Sequence, residues 1–433
     1  MGAEEESRLR TLMQQSNRAW AAGDAQSAAR FLAEAQKLSP DHPAVLNAAG
    51  LRALDAGQGA QAVELLRRAV GRQDDNVTLW VNLAAALRQQ QRPEEEAAAL
   101  ERALAIEPRH LVALLSKAAS IARRSGPRAA AVAYGNALKS IAPGAPLPES
   151  LRGPLAEATA AVRANADELE RHIASRMAST VPDTPRSTRV DHAIGAFAGK
   201  RRIYHPDPTQ LHVPMLPSLE FHAREDFPWL ARLEAATADV RAEFERVFAE
   251  DQNSLVPYVA YPDGVPLDQW RELNRSRKWS AYFLWRDGKP VEQNLARCPR
   301  TAALLASLPL HIVPGHAPAA FFSILDAGAH IPAHTGVTNS RVIVHLPLVV
   351  PADCRFRVGS TTREWRGGEA WVFDDTIEHE AWNGSAYPRA ILIFDVWNPF
   401  LTDSERALVR ETVVAIADYY GAEAQASPFF GDL

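Results

Sequence analysis

Two histidines and one arginine in the last third of the chain are the residues best suited to chemistry. His334 opens the polar cluster His-Thr-Gly-Val-Thr-Asn-Ser-Arg, His379 lies within Phe-Asp-Asp-Thr-Ile-Glu-His-Glu-Ala-Trp, and Arg389 follows the second histidine by ten residues. Apolar runs come after both clusters, so each histidine is predicted at the edge of a β-strand. Neutral imidazoles bind divalent iron, and a planar guanidinium binds a carboxylate through two hydrogen bonds. This combination predicts an oxygenase that uses iron and 2-oxoglutarate.

One position departs from the usual ligand set of such iron sites. Non-haem iron oxygenases generally hold the metal with two histidines and one carboxylate. That carboxylate is expected two residues after the first histidine, where this chain has Gly336. The spacing of the residues therefore leaves the metal site as one hypothesis among others.

Each histidine also has a plainer structural interpretation. His334 could be a surface-loop residue, and His379 could be an ion-paired residue at a strand edge, because a glutamate flanks it on either side. His345 lies inside an apolar run and could be a hydrogen-bonded core histidine.

The composition limits the class of protein. The chain has 433 residues, of which 47% are hydrophobic and 23% charged, and this balance is that of a folded protein with two or three domains. A net charge of -5 with no basic run argues against nucleic-acid binding. The acidic N-terminus and the lack of a long apolar stretch predict a cytoplasmic protein without a signal peptide or membrane segment. Cys298 and Cys354 are expected to be reduced thiols.

The first third of the chain contains an internal repeat. Alanines recur 34 residues apart at Ala35, Ala69, Ala103 and Ala137, and large apolar residues keep the same step around them. A 34-residue helix-turn-helix period resembles that of tetratricopeptide repeats; the alternative is a generic alanine-rich helical bundle. About four repeats over residues 8–142 would form an all-α solenoid. Its concave face would engage a peptide or protein, or would support dimer contacts.

The remaining chain divides into three further parts. Residues 149–179 have one broad apolar face and are predicted to form a capping helix, and the proline-rich stretch 180–219 is predicted to be a linker. Residues 220–433 form the second domain. Short apolar runs with turn signals between them predict an all-β barrel or a double-sheet jelly roll with flanking helices. The predicted strands are 279–285, 319–325, 341–350, 354–358, 369–373 and 389–397, and the predicted helices are 227–249 and 298–308.

Paired motifs in this second domain resemble the aspartyl/asparaginyl β-hydroxylase family. They are Ser323-Ile-Leu, the clusters around His334 and His379, and Asp395-Val-Trp-Asn-Pro. The resemblance covers the C-terminal half of the chain, with a start near Trp279 or, alternatively, in the Pro214 region. It implies a 2-oxoglutarate-dependent dioxygenase on a double-stranded β-helix, with Fe(II), 2-oxoglutarate and O₂. Family members have a glycine where other such oxygenases have the carboxylate ligand, and some carry tetratricopeptide repeats ahead of the oxygenase domain.

The resemblance also implies roles for individual residues. His334 and His379 would be the iron ligands, and Arg389 with Ser323 would bind the distal carboxylate of 2-oxoglutarate. His345 would lie near the iron-chelating end of the co-substrate, and Trp279 would border the pocket. Arg389 has a structural alternative, an ion pair with Asp395 or with Glu378.

Two further positions carry hypotheses. Animal members of the family have an arginine where this chain has Ile343. Because side chains two apart on a strand share a face, Arg341 is expected to take over part of that charge pairing. Asp375 lies four residues before His379 and either orients iron-bound water in place of the missing ligand or forms a turn.

The function predicted from the sequence is hydroxylation of the β-carbon of aspartyl or asparaginyl residues in a peptide or protein, which the repeats could engage. The alternatives are hydroxylation of a free amino acid or a lipid acyl chain. A different class of function is a repeat-based interaction scaffold whose jelly roll is inactive or senses a metal.

Overall fold

The computed structural model describes residues 2–142, 144–185 and 187–425. The chain divides into two compact units, Met1–Lys200 and Arg201–Leu433. Each unit has its own apolar clusters, and each is described by itself.

The first unit begins with eight helices that pack in consecutive pairs. Their bounds are α1 Ala3–Ala21, α2 Ala25–Leu38, α3 Pro43–Asp55, α4 Gly59–Arg72, α5 Val77–Gln89, α6 Pro93–Ile106, α7 Leu111–Ser125 and α8 Pro127–Lys139. The second helices of the four pairs begin at positions 25, 59, 93 and 127, which are 34 residues apart. The predicted tetratricopeptide-type repeat is therefore confirmed.

Small residues allow the helices of this unit to approach closely. The four alanines of the repeat are fully buried, each with 0% exposure. Gly50 on α3 shows the same requirement, because a Cβ there would lie 2.7 Å from Cγ of Leu66 on α4. Side chains also fix the helix starts: Asp24 accepts a hydrogen bond from the backbone N–H of Ser27 at 3.0 Å.

Two more helices complete the described part of the first unit, α9 Arg152–Thr180 and α10 Thr188–Phe197. Ala158 on α9 is fully buried in the cluster that contains Tyr134 of the last repeat, and this contact fits the predicted capping role. The predicted linker 180–219 is not irregular throughout, because it contains α10. The prolines that break the backbone lie on either side of this helix and not within it.

Residues 201–219 of the predicted linker belong to the second unit. The backbone N–H of Thr209 donates to the carbonyl of Gly336 at 3.0 Å, and that of Asp207 donates to the carbonyl of Thr376 at 2.8 Å. This segment therefore runs beside the two histidine clusters.

The described part of the second unit has antiparallel strands and five α-helices. The helices are α11 Leu230–Ala235, α12 Thr237–Glu250, α13 Glu292–Arg297, α14 Pro299–Ala306 and α15 Asp403–Gln425. The strands are β1 Val256–Pro257, β2 Trp279–Arg286, β3 Lys289–Pro290, β4 Ala320–Leu325, β5 His330–His334, β6 Arg341–Val349, β7 Cys354–Val358, β8 Thr361–Glu364, β9 Trp371–Phe373, β10 His379–Asn383 and β11 Arg389–Trp397.

The strands form two sheets. The larger sheet has the order β1-β2-β4-β11-β6-β9, with β3 paired to β2, and the smaller sheet has the order β5-β10-β7-β8. One apolar cluster lies between the larger sheet and the helices, and a second cluster contains residues of both sheets. The site described below lies beside the second cluster.

Strand β6 shows how the larger sheet separates these two environments. Val342 and Val344 belong to the cluster shared with the helices. Arg341, Ile343 and His345 all line a cavity on the opposite face, as their predicted common orientation requires.

Some features of the second unit differ from the sequence expectation. The helix predicted over 227–249 is two helices, α11 and α12, which meet at Ala236. Helix α15 was not predicted. Both cysteines are buried free thiols, as expected. Among the described residues, no helix has the length and apolar character needed to cross a membrane.

Candidate active site

A cavity in the second unit brings the predicted site residues together. Its walls include all eight of them: Trp279, Ser323, His334, Arg341, His345, Asp375, His379 and Arg389. They come from both sheets and from the turn before β10, so the folded sheets assemble residues that lie far apart in sequence.

The two histidines of the cavity face each other across neighbouring strands. His379 on β10 is registered opposite His334 on β5, and their ring centroids are 4.1 Å apart. Nδ1 of His334 lies 2.8 Å from the carbonyl oxygen of Pro332. Nδ1 of His379 lies 3.1 Å from the carbonyl oxygen of Ile377. Because a carbonyl only accepts, both Nδ1 atoms carry the proton, and both Nε2 lone pairs remain for a metal.

Burial keeps both imidazoles neutral. It lowers the pKa of His334 to about 3, and the neighbouring His379 contributes to the same shift. Burial also lowers the pKa of His379 to about 4. Aromatic rings fix the two side chains, since the ring of Trp270 lies 5.0 Å from His334 and that of Phe373 lies 5.6 Å from His379. Neutral, oriented imidazoles are the form that binds a divalent metal.

The space two residues after the first histidine is already filled. A Cβ on Gly336 would overlap the carboxylate oxygen Oδ2 of Asp375. The carboxylate of Asp375 therefore occupies the place that a side chain at position 336 would take. The described residues hold no group of three or more His, Cys, Asp or Glu side chains able to share one metal ion.

Asp375 belongs to a buried charged network. Its Oδ2 accepts a hydrogen bond from Arg341 at 3.2 Å, and its Oδ1 is buried without a hydrogen-bond partner among the described residues. Burial raises the pKa of Asp375. Arg341 also lies 3.8 Å from Asp395, which in turn lies 3.5 Å from His311. The charge of Arg341 is thus compensated by two carboxylates.

The turn before β10 depends on a different aspartate. Oδ1 of Asp374 accepts hydrogen bonds from the backbone N–H of Thr376 at 3.0 Å and from its hydroxyl at 2.6 Å. Asp374 is therefore the side chain that stabilises the turn, and Asp375 is left to face the cavity.

Arg389 is a buried cation that, among the described residues, forms neither of the two alternative structural ion pairs, with Asp395 or with Glu378. It is 1% exposed, and its Nε and Nη1 have no hydrogen-bond partner among the described residues. Asp395 is engaged as described above, and Glu378 binds Arg357 at 2.8 Å. Burial lowers the pKa of Arg389 to about 10. A guanidinium buried in this way is unfavourable unless an anion joins it.

Ser323 and Trp279 lie on neighbouring strands of the larger sheet. The indole Nε1 of Trp279 donates to Oγ of Ser323 at 3.0 Å. Because this bond uses an acceptor position of the hydroxyl, the hydroxyl hydrogen remains available to donate into the cavity. Tyr258 stacks on Trp279 with ring centroids 4.1 Å apart and extends this aromatic wall.

His345 and Trp365 complete the part of the cavity beside Arg389. His345 is 5% exposed, and its Nδ1 has no partner among the described residues. Burial, and then the Arg389 charge, place the pKa of His345 well below its usual range. Trp365 lies under the Arg389 guanidinium, whose Cζ is 4.7 Å from the ring centroid.

Several residues of the cavity were missed by sequence reasoning. Trp365, which lines the cavity, and Trp270, which packs against His334, lie outside the strands, where no periodicity indicates which way a side chain points. His311 was not among the predicted site residues, yet it is buried beside Asp395 and lines the cavity. For Trp365, the available signal in the sequence was its position directly before the Arg366-Gly-Gly turn.

A pair of neutral imidazoles and a buried arginine in one cavity define a class of site suited to a metal and an acidic co-substrate. Comparison with known families shows which family the second unit resembles. Residues 234–399 match the family model described as Aspartyl/Asparaginyl beta-hydroxylase. This part of the chain is therefore similar to that family.

Curated relatives agree with the family match. The chain is 31% identical over 180 residues to the human aspartyl/asparaginyl beta-hydroxylase, a match that covers 41% of this chain and 24% of the human protein. It is 34% identical over 176 residues to the ornithine lipid ester-linked acyl 2-hydroxylase of Rhizobium tropici, covering 40% of this chain and 58% of that protein. The chain thus spans less than two thirds of each relative.

Two of the solved structures that are similar to part of this chain superpose on it with low TM-scores. A mutant of the O-GlcNAc transferase from Thermobaculum terrenum has 21% identity and a TM-score of 0.31, covering 34% of this chain and 30% of that one. MamA from Desulfovibrio magneticus RS-1 has 19% identity and a TM-score of 0.29, covering 30% and 75%.

Proposed function

We propose that the second unit is a 2-oxoglutarate-dependent dioxygenase that uses Fe(II) and O₂ to hydroxylate its substrate, and that its two sheets form a double-stranded β-helix. One observation carries the proposal. The same cavity contains two neutral imidazoles with free Nε2 atoms and a fully buried guanidinium with unpartnered nitrogens among the described residues. A metal and a dicarboxylate would satisfy both at once.

The donor set fits a divalent metal. His334 and His379 would hold Fe(II) through Nε2, and the carbonyls that accept from Nδ1 keep the rings in place. With only two protein ligands, most coordination positions stay open to water, O₂ and the co-substrate. Bound iron supplies, with 2-oxoglutarate and O₂, the oxidation that converts C–H to C–OH. The Oδ1 atom of Asp375, unpartnered among the described residues, would accept a hydrogen bond from water beside the metal.

The co-substrate would bind along the cavity towards Arg389. Its distal carboxylate would accept from Arg389 and from the Ser323 hydroxyl, whose oxygen already accepts from Trp279. His345 would lie near the chelating end. Arg341 is paired with Asp375 and Asp395, so its main proposed role is to orient Asp375. A direct contribution of Arg341 to co-substrate affinity stays a prediction, and an unchanged affinity in Arg341→Ala would contradict it.

We propose the β-carbon of an aspartyl or asparaginyl residue in a peptide or protein as the target, and the repeats of the first unit as a candidate surface for engaging that polypeptide. The name of the human relative supports this substrate. A second candidate is a lipid acyl chain. The Rhizobium relative favours it, as do the apolar side chains of Phe283, Phe321 and Ile343 in the cavity wall.

Turnover of 2-oxoglutarate tests the proposed reaction. We expect succinate to form with Fe(II), O₂ and a cell extract as the substrate source, and to fall to background in His379→Ala. His330→Ala is the matched control, because its ring lies on the same small sheet, is exposed, and stacks on Trp382 5.2 Å away. It should keep the wild-type rate. Equal succinate formation by wild type and His379→Ala would overturn the proposal and favour the scaffold.

The same extracts distinguish the two substrates. A gain of one oxygen on aspartyl or asparaginyl residues of peptides, detected by mass spectrometry and absent with His379→Ala, would support the polypeptide substrate. The same gain confined to lipid acyl chains would replace it with the second candidate.

A further inference from the structure

Trp365 is buried in an arrangement that its packing alone does not explain. The side chain is 5% exposed and lies directly after β8. Its ring stacks on Phe356 at 5.2 Å and on Trp371 at 5.8 Å. A phenylalanine ring could make such stacking contacts as well. The indole adds one polar group, Nε1–H, which is buried and has no hydrogen-bond partner among the described residues.

A buried donor without an acceptor is unfavourable by about 1–3 kcal/mol. Buried polar groups in folded proteins are overwhelmingly hydrogen-bonded, so an unpaired one indicates a missing partner. Three neighbouring side chains share this property within the described part of the chain: Nε1 of Trp365, Nδ1 of His345, and Nε with Nη1 of Arg389. All three residues line the same cavity, and the Arg389 guanidinium lies over the Trp365 ring.

The nature of these atoms specifies the missing partner. The indole and guanidinium nitrogens only donate, so the partner must accept several hydrogen bonds at one place. A carboxylate does so, because its two oxygens together offer about four acceptor positions. A single water accepts fewer and leaves the positive charge of Arg389 uncompensated.

We infer that the Trp365 indole N–H is a further donor, besides the Ser323 hydroxyl, to the carboxylate that Arg389 binds, so that Trp365 is a binding residue for an acidic ligand as well as a stacking partner of the arginine. This inference rests on the proposed function, which supplies 2-oxoglutarate as that ligand. Stacking on the indole holds the guanidinium plane, and the N–H adds directional recognition of the distal carboxylate.

Two metal-chelating probes separate recognition of this carboxylate from metal binding. N-oxalylglycine has the distal carboxylate of 2-oxoglutarate, whereas oxalate chelates a metal without one. Both are titrated calorimetrically into the full-length protein loaded with Mn(II). We expect Trp365→Phe to raise the Kd of N-oxalylglycine by about tenfold or more and to leave the Kd of oxalate within about twofold of the wild-type value.

Two further variants keep this test interpretable. Trp371→Phe is the matched control, because Trp371 is buried in the same stack but does not line the cavity. It should bind both probes like the wild type. Replacement of Trp365 by benzothienylalanine, in which sulfur replaces the N–H at nearly constant shape, should reproduce the weakened N-oxalylglycine binding even if Trp365→Phe folds poorly.

The outcomes also distinguish this inference from the proposed function. If wild type binds N-oxalylglycine, Arg389→Met weakens it, and the benzothienylalanine protein binds like wild type, Trp365 is only a packing residue and the inference is wrong. Equal weakening of oxalate and N-oxalylglycine would also contradict it, because that pattern indicates a general disturbance of the cavity. If wild type with Mn(II) binds neither probe, the proposed function itself fails.

Discussion

The two units of this chain differ in how many of their buried polar atoms lack a hydrogen-bond partner among the described residues. In the repeat unit, buried positions are mostly alanine and leucine, and buried Glu96 is paired with Arg123 at 2.5 Å. In the described part of the second unit, buried polar atoms without partners concentrate around one cavity, on His345, Trp365, Asp375 and Arg389. The repeat unit is built mainly for packing, whereas the second unit maintains polar groups suited to a ligand. Unsatisfied buried atoms thus cluster at this cavity, although buried polar groups outside it, such as Ser120 and His222, also lack partners among the described residues.

The largest expected effect is a loss of stability in the repeat unit, caused by a substitution in its packed interior. Leu66 is fully buried against Gly50, so Leu66→Ala should destabilise the repeat unit by about 2–5 kcal/mol through lost contacts and a cavity. Hydrogen-exchange mass spectrometry should show lost protection in peptides from 43–106. Peptides from 320–397 and the affinity for N-oxalylglycine should stay at their wild-type values. Equal loss of protection in both units would contradict the separation between them.

The next largest expected effect is a loss of stability at low pH, caused by a buried histidine outside the cavity. His222 is 8% exposed, and neither ring nitrogen has a partner among the described residues. Burial lowers its pKa to about 4. The unfolded state therefore binds a proton below about pH 6.5 that the folded state binds only near pH 4. Stability is full above about pH 6.5 and is lost as the pH falls towards about 4, by on the order of 3 kcal/mol.

The variant His222→Phe isolates this contribution from that of the other histidines. Urea unfolding of the metal-free protein at several pH values should show a smaller loss of stability between about pH 7 and about pH 4 than in wild type. The ring contacts with Phe227 and Phe400 can be kept by phenylalanine. An unchanged pH profile would mean that the ring is hydrated in solution.

The smallest expected change in the free energy of unfolding is that of a substitution at Arg389. The sign of this change is the sharpest test of the comparison between the two units. Arg389→Met removes a buried charge that has no carboxylate partner among the described residues, so the ligand-free protein should be as stable as wild type or more stable. The same substitution should weaken N-oxalylglycine binding by about ten- to a hundredfold, because a charge-assisted pair is lost. Urea unfolding and calorimetry measure the two effects. Strong destabilisation without ligand would show that Arg389 has a structural role.

The sequence predicted the regular parts of both units well. The repeat was readable because each helix pair reuses the same small and large positions. Strands β7 and β11 were predicted with their observed bounds, because apolar runs between turn signals mark buried strands. The three cavity-facing residues of β6 followed from the alternation of side chains along a strand.

Other features depend on tertiary contacts that no local pattern records. The filling of the Gly336 position by Asp375 requires two loops to meet in space. The placement of Trp365 under Arg389 depends on how β8 and β11 are brought together. Helix α15 was missed because its buried face is narrow, with Val409 and Ala417 as its buried apolar residues in the described part.

The central claim is that one cavity binds a metal at the imidazole pair and a carboxylate at Arg389. A crystal structure of the protein with Mn(II) and N-oxalylglycine tests it most directly. The account predicts the metal within bonding distance of Nε2 of His334 and of His379, and the distal carboxylate of the ligand hydrogen-bonded to Arg389. A metal bound elsewhere, or a ligand whose distal carboxylate lies away from Arg389, would contradict it.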